Sequence, residues 1–456
     1  MNIAGRTVGA TGRDTPSSRH AQERDPAAAR LRIAWMGPAP EDRGGVPSMA
    51  CQTLLGLAAR DVDLELFVDS GRTEFLDRLA ALPNVRVTAF STRWEYDRWY
   101  SSTPTRALAS GTAARVHVGA KLAERLAARH AAQPFDVAYR LSQIELLALR
   151  PLRRRLPPLV LHPEVHARGE LRFHWRERAL ALRCEPRALF ALNAGYLAYR
   201  SLVQRRDVRD VAALIAPSER FAHLLAADYG YPRGDIQVIP NPIDLERFAP
   251  PATGAQSPPG LVRLLFVSRM SVRKGVEQIV ELSHRIGDLA GTVQIDCIGG
   301  ASLFSNYSAL LDGLNPAVAR RVGSVPTEDL PGLYRAAHGC LQPSWYEPFA
   351  ITIGEALASG LPVIVSDEVG AGEGVDPRVC RVHAAGDTGA LEREVRRLVA
   401  EVRAGWPPEL RDVARRHAQT RLSRDTVAAQ MLETLEAVRA GRVPSAGRRP
   451  PEADTR

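Results

Sequence analysis

The chain has 456 residues, a length that allows two or three domains with substantial hydrophobic cores. Its 45% hydrophobic and 24% charged residues are typical of a soluble globular protein. The net charge of +9 is concentrated, since residues 150–187 carry ten Arg against four acidic residues; this favours one basic surface and argues against a protein that tracks nucleic acid.

Cysteine usage and the chain ends predict a cytoplasmic protein. The five cysteines are scattered and include no Cys-x-x-Cys pair, so neither a disulfide framework nor a zinc site is expected. Residues 1–29 and 441–456 lack periodicity and predict disordered tails, and the first tail has no apolar core of a secretory signal. No apolar run approaches the roughly 20 residues that span a bilayer.

The folded part of the chain opens with strands and helices in alternation. Apolar runs predict strands at 31–37, 64–68, 85–90, 135–139, 159–162, 211–216 and 236–239, with helices ending at 59 and spanning 106–131 and 219–228. This alternation predicts an α/β fold with a parallel, doubly wound sheet. Gly44 and Gly45 precede the first helix and would let the backbone approach a ligand closely.

His162 directly follows a predicted strand, so it lies at the carboxyl edge of the sheet, where ligands bind in this class of fold. An imidazole there can hydrogen-bond a sugar hydroxyl or move a proton. A capping or structural histidine is an equally good interpretation of this residue taken alone.

Residues 168–206 predict one or two Arg-rich helices. Apolar residues interleaved with Arg, above all over 168–187, are compatible with peripheral contact to an anionic membrane surface. A solvated helical face explains the same pattern, and the sequence alone favours that second interpretation.

A second α/β series follows a Pro-rich linker at 241–261, with strands predicted at 262–268, 293–298, 341–343 and 363–365. Arg269 and Lys274 lie in the first loop of this series, where the guanidinium and the ammonium can straddle a diphosphate. The lysine is informative because the chain contains only two lysines, Lys121 and Lys274, among 60 basic residues.

The segment from Ser344 to Gly360 carries the strongest chemical pattern. It predicts a loop that runs into a short helix, with Glu347 on the loop and Glu355 about two turns into the helix. A helix N-terminus suits a phosphate, and the two carboxylates can hold hydroxyl groups on either side of it. This combination is typical of a nucleotide-sugar site, although an ordinary α/β unit with two surface acids would show the same spacing.

Together these motifs resemble the retaining, nucleotide-sugar-dependent glycosyltransferases of family 4, which have the GT-B architecture of two facing Rossmann-like domains. The resemblance covers residues 31–438. Its ordered motifs are Gly44-Gly45-Val46, His162, Ile215-Ala-Pro-Ser218, Val238-Ile-Pro-Asn-Pro-Ile-Asp244, Ser268-Arg269 with Lys274-Gly275, and Glu347-x7-Glu355.

The resemblance implies a role for each matched position. Glu347 would face hydroxyls of the transferred sugar, Glu355 would hold the ribose, and Arg269 and Lys274 would neutralise the diphosphate. His162 would touch the sugar near the acceptor. The remaining donor contacts would come from Gly44, Gly45, Val325, Phe349, Ala350 and Ile351. Ala350 departs from the family, which usually has Gly at this position.

The resemblance also implies a domain plan. An acceptor-side domain would span 30–240, a nucleotide-sugar domain 262–422, and a helix at 423–440 would cross back to the first domain. Transfer would retain the anomeric configuration and require neither a cofactor nor a metal ion.

The expected function is transfer from a nucleoside diphosphate sugar, UDP favoured and GDP possible, to an acceptor hydroxyl. The acceptor would be a small natural product, a glycolipid or an envelope polymer, and the enzyme would be cytoplasmic or peripheral at the inner face of the membrane. Two alternatives remain: a GT-B phosphorylase or epimerase, and a nucleotide-sugar-binding protein without transferase activity.

Overall fold

A computed structural model describes residues 30–41, 45–69, 73–90, 98, 102–142, 144–146, 148–184, 186–251, 260–300 and 307–442. Several predictions therefore lie outside the described residues. They are the tail 1–29, all but the first two residues of the tail 441–456, the linker positions 252–259, and Gly44.

Seven parallel strands form the first sheet, in the order β3-β2-β1-β4-β5-β6-β7. They are β1 (Leu31–Pro38), β2 (Val62–Asp69), β3 (Val85–Ala89), β4 (Val137–Leu141), β5 (Leu159–His162), β6 (Ala213–Ala216) and β7 (Ile236–Val238). The chain builds outward from β1 in one direction and from β4 in the other. This sheet and the helices packed on it are called the N-lobe.

Six parallel strands form the second sheet, in the order β10-β9-β8-β11-β12-β13. They are β8 (Val262–Val267), β9 (Val293–Ile298), β10 (Ala319–Gly323), β11 (Gly339–Gln342), β12 (Val363–Ser366) and β13 (Cys380–His383). This sheet and its helices are called the C-lobe. Two parallel, doubly wound sheets confirm the predicted α/β class.

Thirteen α-helices connect these strands in the described part of the chain. They are α1 (Gly45–Ala58), α2 (Glu74–Ala80), α3 (Pro104–Ala132), α4 (Ala167–Arg176), α5 (Arg178–Cys184), α6 (Arg187–Asp207), α7 (Glu219–Tyr229), α8 (Val276–Arg285), α9 (Leu330–Ala336), α10 (Ile351–Ala358), α11 (Thr388–Gly405), α12 (Pro408–Arg421) and α13 (Arg424–Arg439). None of them is both long enough and apolar enough to cross a membrane.

Each sheet is covered by helices on both faces because neighbouring strand residues point to opposite sides. In β1, Ile33 and Trp35 pack against α1 and α13, whereas Ala34 and Met36 pack against α3 and α7. The C-lobe repeats this arrangement, with α10 and α12 on one face and α8 and α11 on the other. Helix α13 follows α12 of the C-lobe yet buries its apolar side in the N-lobe core, so the two lobes share a hydrophobic contact.

Three elements depart from the expected pattern. The Arg-rich stretch 168–206, predicted as one or two helices, forms three, and its basic part 168–187 is divided between α4 and α5 with α6 starting at its last residue. Strand β10 runs at the edge of its sheet with several exposed side chains, which explains why its Arg-rich sequence lacks a strand pattern. Strand β13 mixes Arg381 and His383 with Cys380 and the exposed Val382, so no apolar run marks it.

Candidate active site

The predicted donor residues gather at the point where the C-lobe sheet changes direction. Strands β8 and β11 are neighbours, and the chain leaves β8 towards one edge and β11 towards the other. Loops that follow such strands diverge and leave a crevice at the carboxyl edge of the sheet. Lys274 comes from the loop after β8 and Glu347 from the loop after β11.

Lys274 and Glu347 form an ion pair in this crevice. The Lys274 ammonium donates to Glu347 Oε2, and the Arg273 guanidinium lies 3.7 Å from the same oxygen. Both side chains of the pair are largely buried. Burial lowers the pKa of Lys274 well below its usual value, and the positive charges of Arg273 and Arg269 lower it further. Two basic side chains thus contact one carboxylate, and Arg269 lies close enough to influence Lys274, which leaves an excess of positive charge for an anion.

Arg269 lies in the loop after β8 and is exposed as a residue, and its charge acts on Lys274 of the ion pair. Desolvation of its head group and the nearby charge of Arg273 lower its pKa, whereas Glu170 on α4 raises it. Glu170 belongs to the N-lobe, so Arg269 and Glu170 face each other across the boundary between the lobes.

The start of α10 is built on an unusual backbone conformation. Ala350 is the N-cap residue and has φ +82°, a left-handed value that costs a residue with a Cβ atom about 1 kcal/mol or more. This conformation explains why glycine suits the position. Phe349 and Ala350 are buried in the C-lobe core, and Ile351 is half-buried. Gly45 of the N-lobe faces the Ile351 side chain, so the start of α1 and the start of α10 oppose each other.

Glu355 lines a small pocket between the two lobes. Ser48 and Gln52 of α1 line it from one side, and the remaining lining residues are Pro242, Ile243, Asp244, Arg247, Phe248 and Ile351. The Tyr334 hydroxyl donates to Glu355 Oε2 at 3.0 Å. Burial raises the pKa of Glu355 to about 7, while the Tyr334 hydrogen bond and Arg247 oppose this shift and Asp244 adds to it.

His162 lies apart from these residues, in a polar cluster at the carboxyl edge of the N-lobe sheet. Its Nδ1 is 2.6 Å from the Tyr139 hydroxyl, and its Nε2 is 3.7 Å from Glu164 Oε1. Asn241 donates from Nδ2 to the other Glu164 oxygen at 2.7 Å. Burial lowers the pKa of His162 to about 3 and raises the pKa of Glu164 to about 7.

Three atoms of this cluster are buried without a hydrogen-bond partner in the described part of the chain: His162 Nε2, Glu164 Oε1 and Asn241 Oδ1. Buried polar atoms are nearly always paired with protein, water or ligand, so this grouping marks a place for a hydroxyl group or a water molecule. Glu164 is the more accessible of the first two residues, with 10% of its side chain exposed against 1% for His162.

Tyr346, the residue before Glu347, joins the two lobes. Its ring packs in the N-lobe core, and its hydroxyl lies 2.7 Å from Nδ1 of His166, whose Nε2 lies 2.7 Å from Asp228 on α7. Near this contact, both carboxylate oxygens of Glu373 accept the free amides at the N-terminus of α7. The segment that carries Glu347 is therefore held by the opposite lobe.

Of the predicted residues, the structure brings Lys274, Glu347 and Arg269 together and places Ile351 beside Glu355. Val325 is half-buried against the same C-lobe core, and His162 contacts none of the others. Sequence reasoning missed Arg273, Tyr346 and Glu164. Arg273 directly precedes Lys274, and Glu164 lies two residues after His162. Closeness in sequence to a predicted residue was therefore the signal that could have identified Arg273 and Glu164. The described residues contain no group of three or more His, Cys, Asp or Glu that could hold a metal ion.

Comparison with known families agrees with this division into two lobes. Residues 43–247 match the model described as Glycosyltransferase Family 4, and residues 262–401 match the model described as Glycosyl transferases group 1. Both halves of the chain match glycosyltransferase families. The first match covers the N-lobe polar cluster, and the second covers the Lys274–Glu347 pair.

Similar proteins include two curated glycosyltransferases. The D-inositol 3-phosphate glycosyltransferase of Nocardiopsis dassonvillei is 30% identical over 235 residues, which is 47% of this chain and 53% of that protein. The mannosylfructose-phosphate synthase of Agrobacterium fabrum is 28% identical over 177 residues, which is 35% of this chain and 38% of that protein. The chain thus spans about half, or less, of the length of these relatives.

Solved glycosyltransferase structures share the fold. A sucrose-phosphate synthase from Thermosynechococcus elongatus superposes with a TM-score of 0.66 at 19% identity, covering 90% of this chain and 100% of that one. The HepE protein of Anabaena, solved with UDP-glucose, superposes with a TM-score of 0.59 at 17% identity, covering 90% of this chain and 100% of that one. These similarities confirm the predicted GT-B fold.

Proposed function

We propose that this protein is a retaining glycosyltransferase that moves a sugar from a nucleoside diphosphate sugar to an acceptor hydroxyl. The observation that supports it best is the Lys274–Glu347 pair at the turning point of the C-lobe sheet, with Arg273 beside it. Three cations and one carboxylate match a diphosphate joined to a hydroxyl-bearing sugar. The HepE structure contains UDP-glucose, which favours a UDP-sugar, and a GDP-sugar remains the second choice.

In this proposal the diphosphate replaces Glu347 as the partner of Lys274. Arg269, Arg273 and Lys274 then neutralise the two phosphates, and Glu347 is released to accept hydrogen bonds from sugar hydroxyls. Stabilising charge on the departing nucleotide is the largest contribution expected when the leaving group is an anion. Glu355, across the pocket from Gln52, would accept the ribose hydroxyls, and Gly45 would approach the donor from the N-lobe.

Transfer would take place on one face of the sugar. The bond between the anomeric carbon and the phosphate oxygen breaks, and the electron pair leaves with that oxygen. The acceptor oxygen bonds to the same face, and its proton passes to the departing phosphate oxygen, so the configuration is retained without a separate base. The acceptor hydroxyl would lie near His162 and Glu164, whose free Nε2 and Oε1 atoms can donate to it and accept from it.

The acceptor would be a small natural product, a glycolipid or an envelope polymer. Two similar proteins are named for phosphorylated small molecules, inositol 3-phosphate and mannosylfructose phosphate, which supports a small polar acceptor. A lipid-linked acceptor would instead suit a cytoplasmic enzyme that contacts the inner face of the membrane through its basic segment at 168–187. Neither a cofactor nor a metal ion is required by this reaction.

Turnover with water as the acceptor tests the proposal before the natural acceptor is known. The wild type and Lys274→Ala are incubated with UDP- and GDP-hexoses, and proton NMR follows the anomeric signals. We expect slow release of nucleoside diphosphate, with the first free sugar in the donor's anomeric configuration, and a loss of release in Lys274→Ala. Lys121→Ala, at the surface of α3, is the matched control.

Other outcomes would contradict the proposal. Release of the opposite anomer would exclude retention. Formation of sugar 1-phosphate from added inorganic phosphate would identify a GT-B phosphorylase. Tight nucleotide-sugar binding without any release, with or without candidate acceptors, would favour a nucleotide-sugar-binding protein that lacks transferase activity.

A further inference from the structure

The outer face of α6 is an apolar stripe that no described residue covers. Seven exposed residues follow one another at helical spacing along this face: Ala188, Ala191, Leu192, Gly195, Ala198, Tyr199 and Leu202. Leu192 is 45% exposed, Tyr199 53% and Leu202 72%. At 1.5 Å per residue the stripe is about 21 Å long.

The opposite face of α6 is firmly anchored. His174 of α4 stacks on Phe190 with ring centroids 4.0 Å apart, and Trp175 meets the same ring edge-on. Near the end of the helix, Gln204 accepts from the Ala167 amide at 2.8 Å, and Asp207 accepts from the Leu146 amide at 2.7 Å. The helix is therefore fixed in orientation, and its apolar outer face does not result from loose packing.

Large exposed hydrophobic side chains are concentrated in this region. Eight such residues occur in the described part of the chain, and five of them belong to α4–α6: Trp175, Leu182, Leu192, Tyr199 and Leu202. The other three, Val116, Val322 and Val382, are on separate elements. Single exposed hydrophobic residues are ordinary, but Leu192, Tyr199 and Leu202 lie on one face of a single helix, and such a group marks an interaction surface.

The exposed charged side chains described on α4, α5 and α6 are all positive. Arg187 is exposed at its start, and Arg205 and Arg206 are exposed at its end. Among the described residues of α4, α5 and α6, the exposed charged side chains are Arg168, Arg172, Arg176, Arg178, Arg183, Arg187, Arg205 and Arg206, and no acidic side chain is exposed there. An apolar strip bounded by Arg is complementary to a surface with anionic groups above an apolar interior.

We propose that the outer face of α6 docks on an anionic membrane, with Leu192, Tyr199 and Leu202 entering the interfacial layer and the flanking Arg side chains contacting lipid phosphates. This proposal rests on the membrane contact considered under the proposed function, and it assigns that contact to α6 instead of residues 168–187. A second copy of the chain is disfavoured, because a symmetric contact between two such faces would oppose Arg187 of one copy to Arg205 and Arg206 of the other. A nucleic acid would leave the apolar stripe unburied.

Vesicle sedimentation tests the proposal directly and needs neither donor nor acceptor. The full chain is mixed with vesicles of phosphatidylcholine alone or with phosphatidylglycerol added. We expect binding to the anionic vesicles that weakens as salt is raised. The variant Leu192→Ser with Tyr199→Ser and Leu202→Ser should bind about tenfold more weakly or worse, because the apolar insertion is lost. Arg205→Glu with Arg206→Glu should also reduce binding to the anionic vesicles.

Matched controls lie on other surfaces. Val116→Ser with Val382→Ser removes exposed apolar groups elsewhere, and Arg393→Glu with Arg403→Glu makes the same charge change on α11; both should bind as the wild type does. Absence of wild-type sedimentation with anionic vesicles would overturn the proposal, as would equal losses in the control variants. A concentration-dependent dimer in analytical ultracentrifugation that only the α6 triple variant abolishes would also overturn it. Sugar release by the triple variant should remain unchanged, which separates this proposal from the proposed transfer reaction.

Discussion

The polar groups at the carboxyl edges of the two sheets differ in their pairing: they form an ion pair in the C-lobe and are partly unpaired in the N-lobe. At the C-lobe edge, opposite charges are paired, with Lys274 on Glu347 and Arg273 close by. At the N-lobe edge, His162 and Glu164 have free atoms facing each other at 3.7 Å, and Asn241 Oδ1 is free as well. Burial keeps His162 neutral and raises the pKa of Glu164 to about 7.

This difference indicates which chemical group each edge can bind. An excess of buried positive charge is stabilised by an anion, so the C-lobe edge suits a diphosphate. A neutral imidazole beside a weakly acidic carboxyl group suits a hydroxyl, which can donate one hydrogen bond and accept another.

Removing the positive charge of Lys274 from the C-lobe edge should have the largest effect on turnover. Lys274→Ala deletes a cation aimed at the charge that develops on the leaving phosphate, so we expect kcat to fall by about 10²- to 10³-fold. Sugar release measured by NMR checks this, with circular dichroism to confirm folding. Lys121→Ala should behave as the wild type does. Wild-type kcat in a folded Lys274→Ala protein would refute the assignment of the C-lobe edge.

Glu164→Gln tests the N-lobe edge. The amide retains the shape but removes the negative charge that would accept the acceptor hydroxyl, and a hydrogen bond to a charged group contributes about 1.5–3 kcal/mol. We therefore expect the KM for the acceptor to rise about 10- to 100-fold with the KM for the donor unchanged. Steady-state kinetics with each substrate varied in turn separates the two constants. A change in donor KM alone would contradict the division of roles, and Glu328→Gln at an exposed position is the control.

Donor affinity should depend on pH through Glu355. Its pKa of about 7 means that the carboxyl group is mostly protonated at pH 6 and mostly ionised at pH 8. Only the ionised form accepts hydrogen bonds from both ribose hydroxyls, so affinity should rise with pH, by up to about tenfold over this range. Calorimetric titration with a nucleotide sugar measures it. A Glu355→Gln variant should show a flat profile, and an unchanged slope there would assign the pH dependence to another group.

Tyr346→Phe should have the smallest effect. The substitution leaves Nδ1 of His166, which is buried, without its 2.7 Å partner in the C-lobe. We expect a loss of about 1–2 kcal/mol in unfolding free energy and a change of a few-fold in donor KM, since Glu347 follows Tyr346. A double-mutant cycle with His166→Gln measures the coupling. Strictly additive effects would show that this contact does not link the lobes energetically.

The sequence predicted most of the strands because their apolar runs are buried on both faces, as in β8 and β12. Lys274 and Glu347 could be named because they lie in loops that follow predicted strands, and Glu355 because it lies eight residues after Glu347 on the predicted helix. Contacts between distant segments could not be read in the same way. Tyr346 meets His166 across 180 positions, and Asn241 meets Glu164 across 77.

Two further features needed the three-dimensional structure. The left-handed conformation of Ala350 is a property of its backbone, although the departure from glycine at that position marked it as unusual. The apolar stripe on α6 depends on which side of the helix faces the N-lobe. Its sequence is apolar around much of the circumference, so periodicity alone did not reveal that one apolar face lies outward.

Nucleotide binding measures whether the C-lobe edge is a diphosphate site. Thermal unfolding is followed with UDP, GDP, ADP or TDP, each with and without EDTA, for the wild type, Lys274→Ala, Glu355→Ala and Lys121→Ala. A ligand at 100 times its dissociation constant stabilises the native state by about 2.7 kcal/mol, which corresponds to an increase in Tm of roughly 5–10 °C. We predict such a shift for one nucleotide, insensitive to EDTA, lost in the first two variants and retained in the third. An equal shift in Lys274→Ala, or no shift with any of the four nucleotides, would contradict the account.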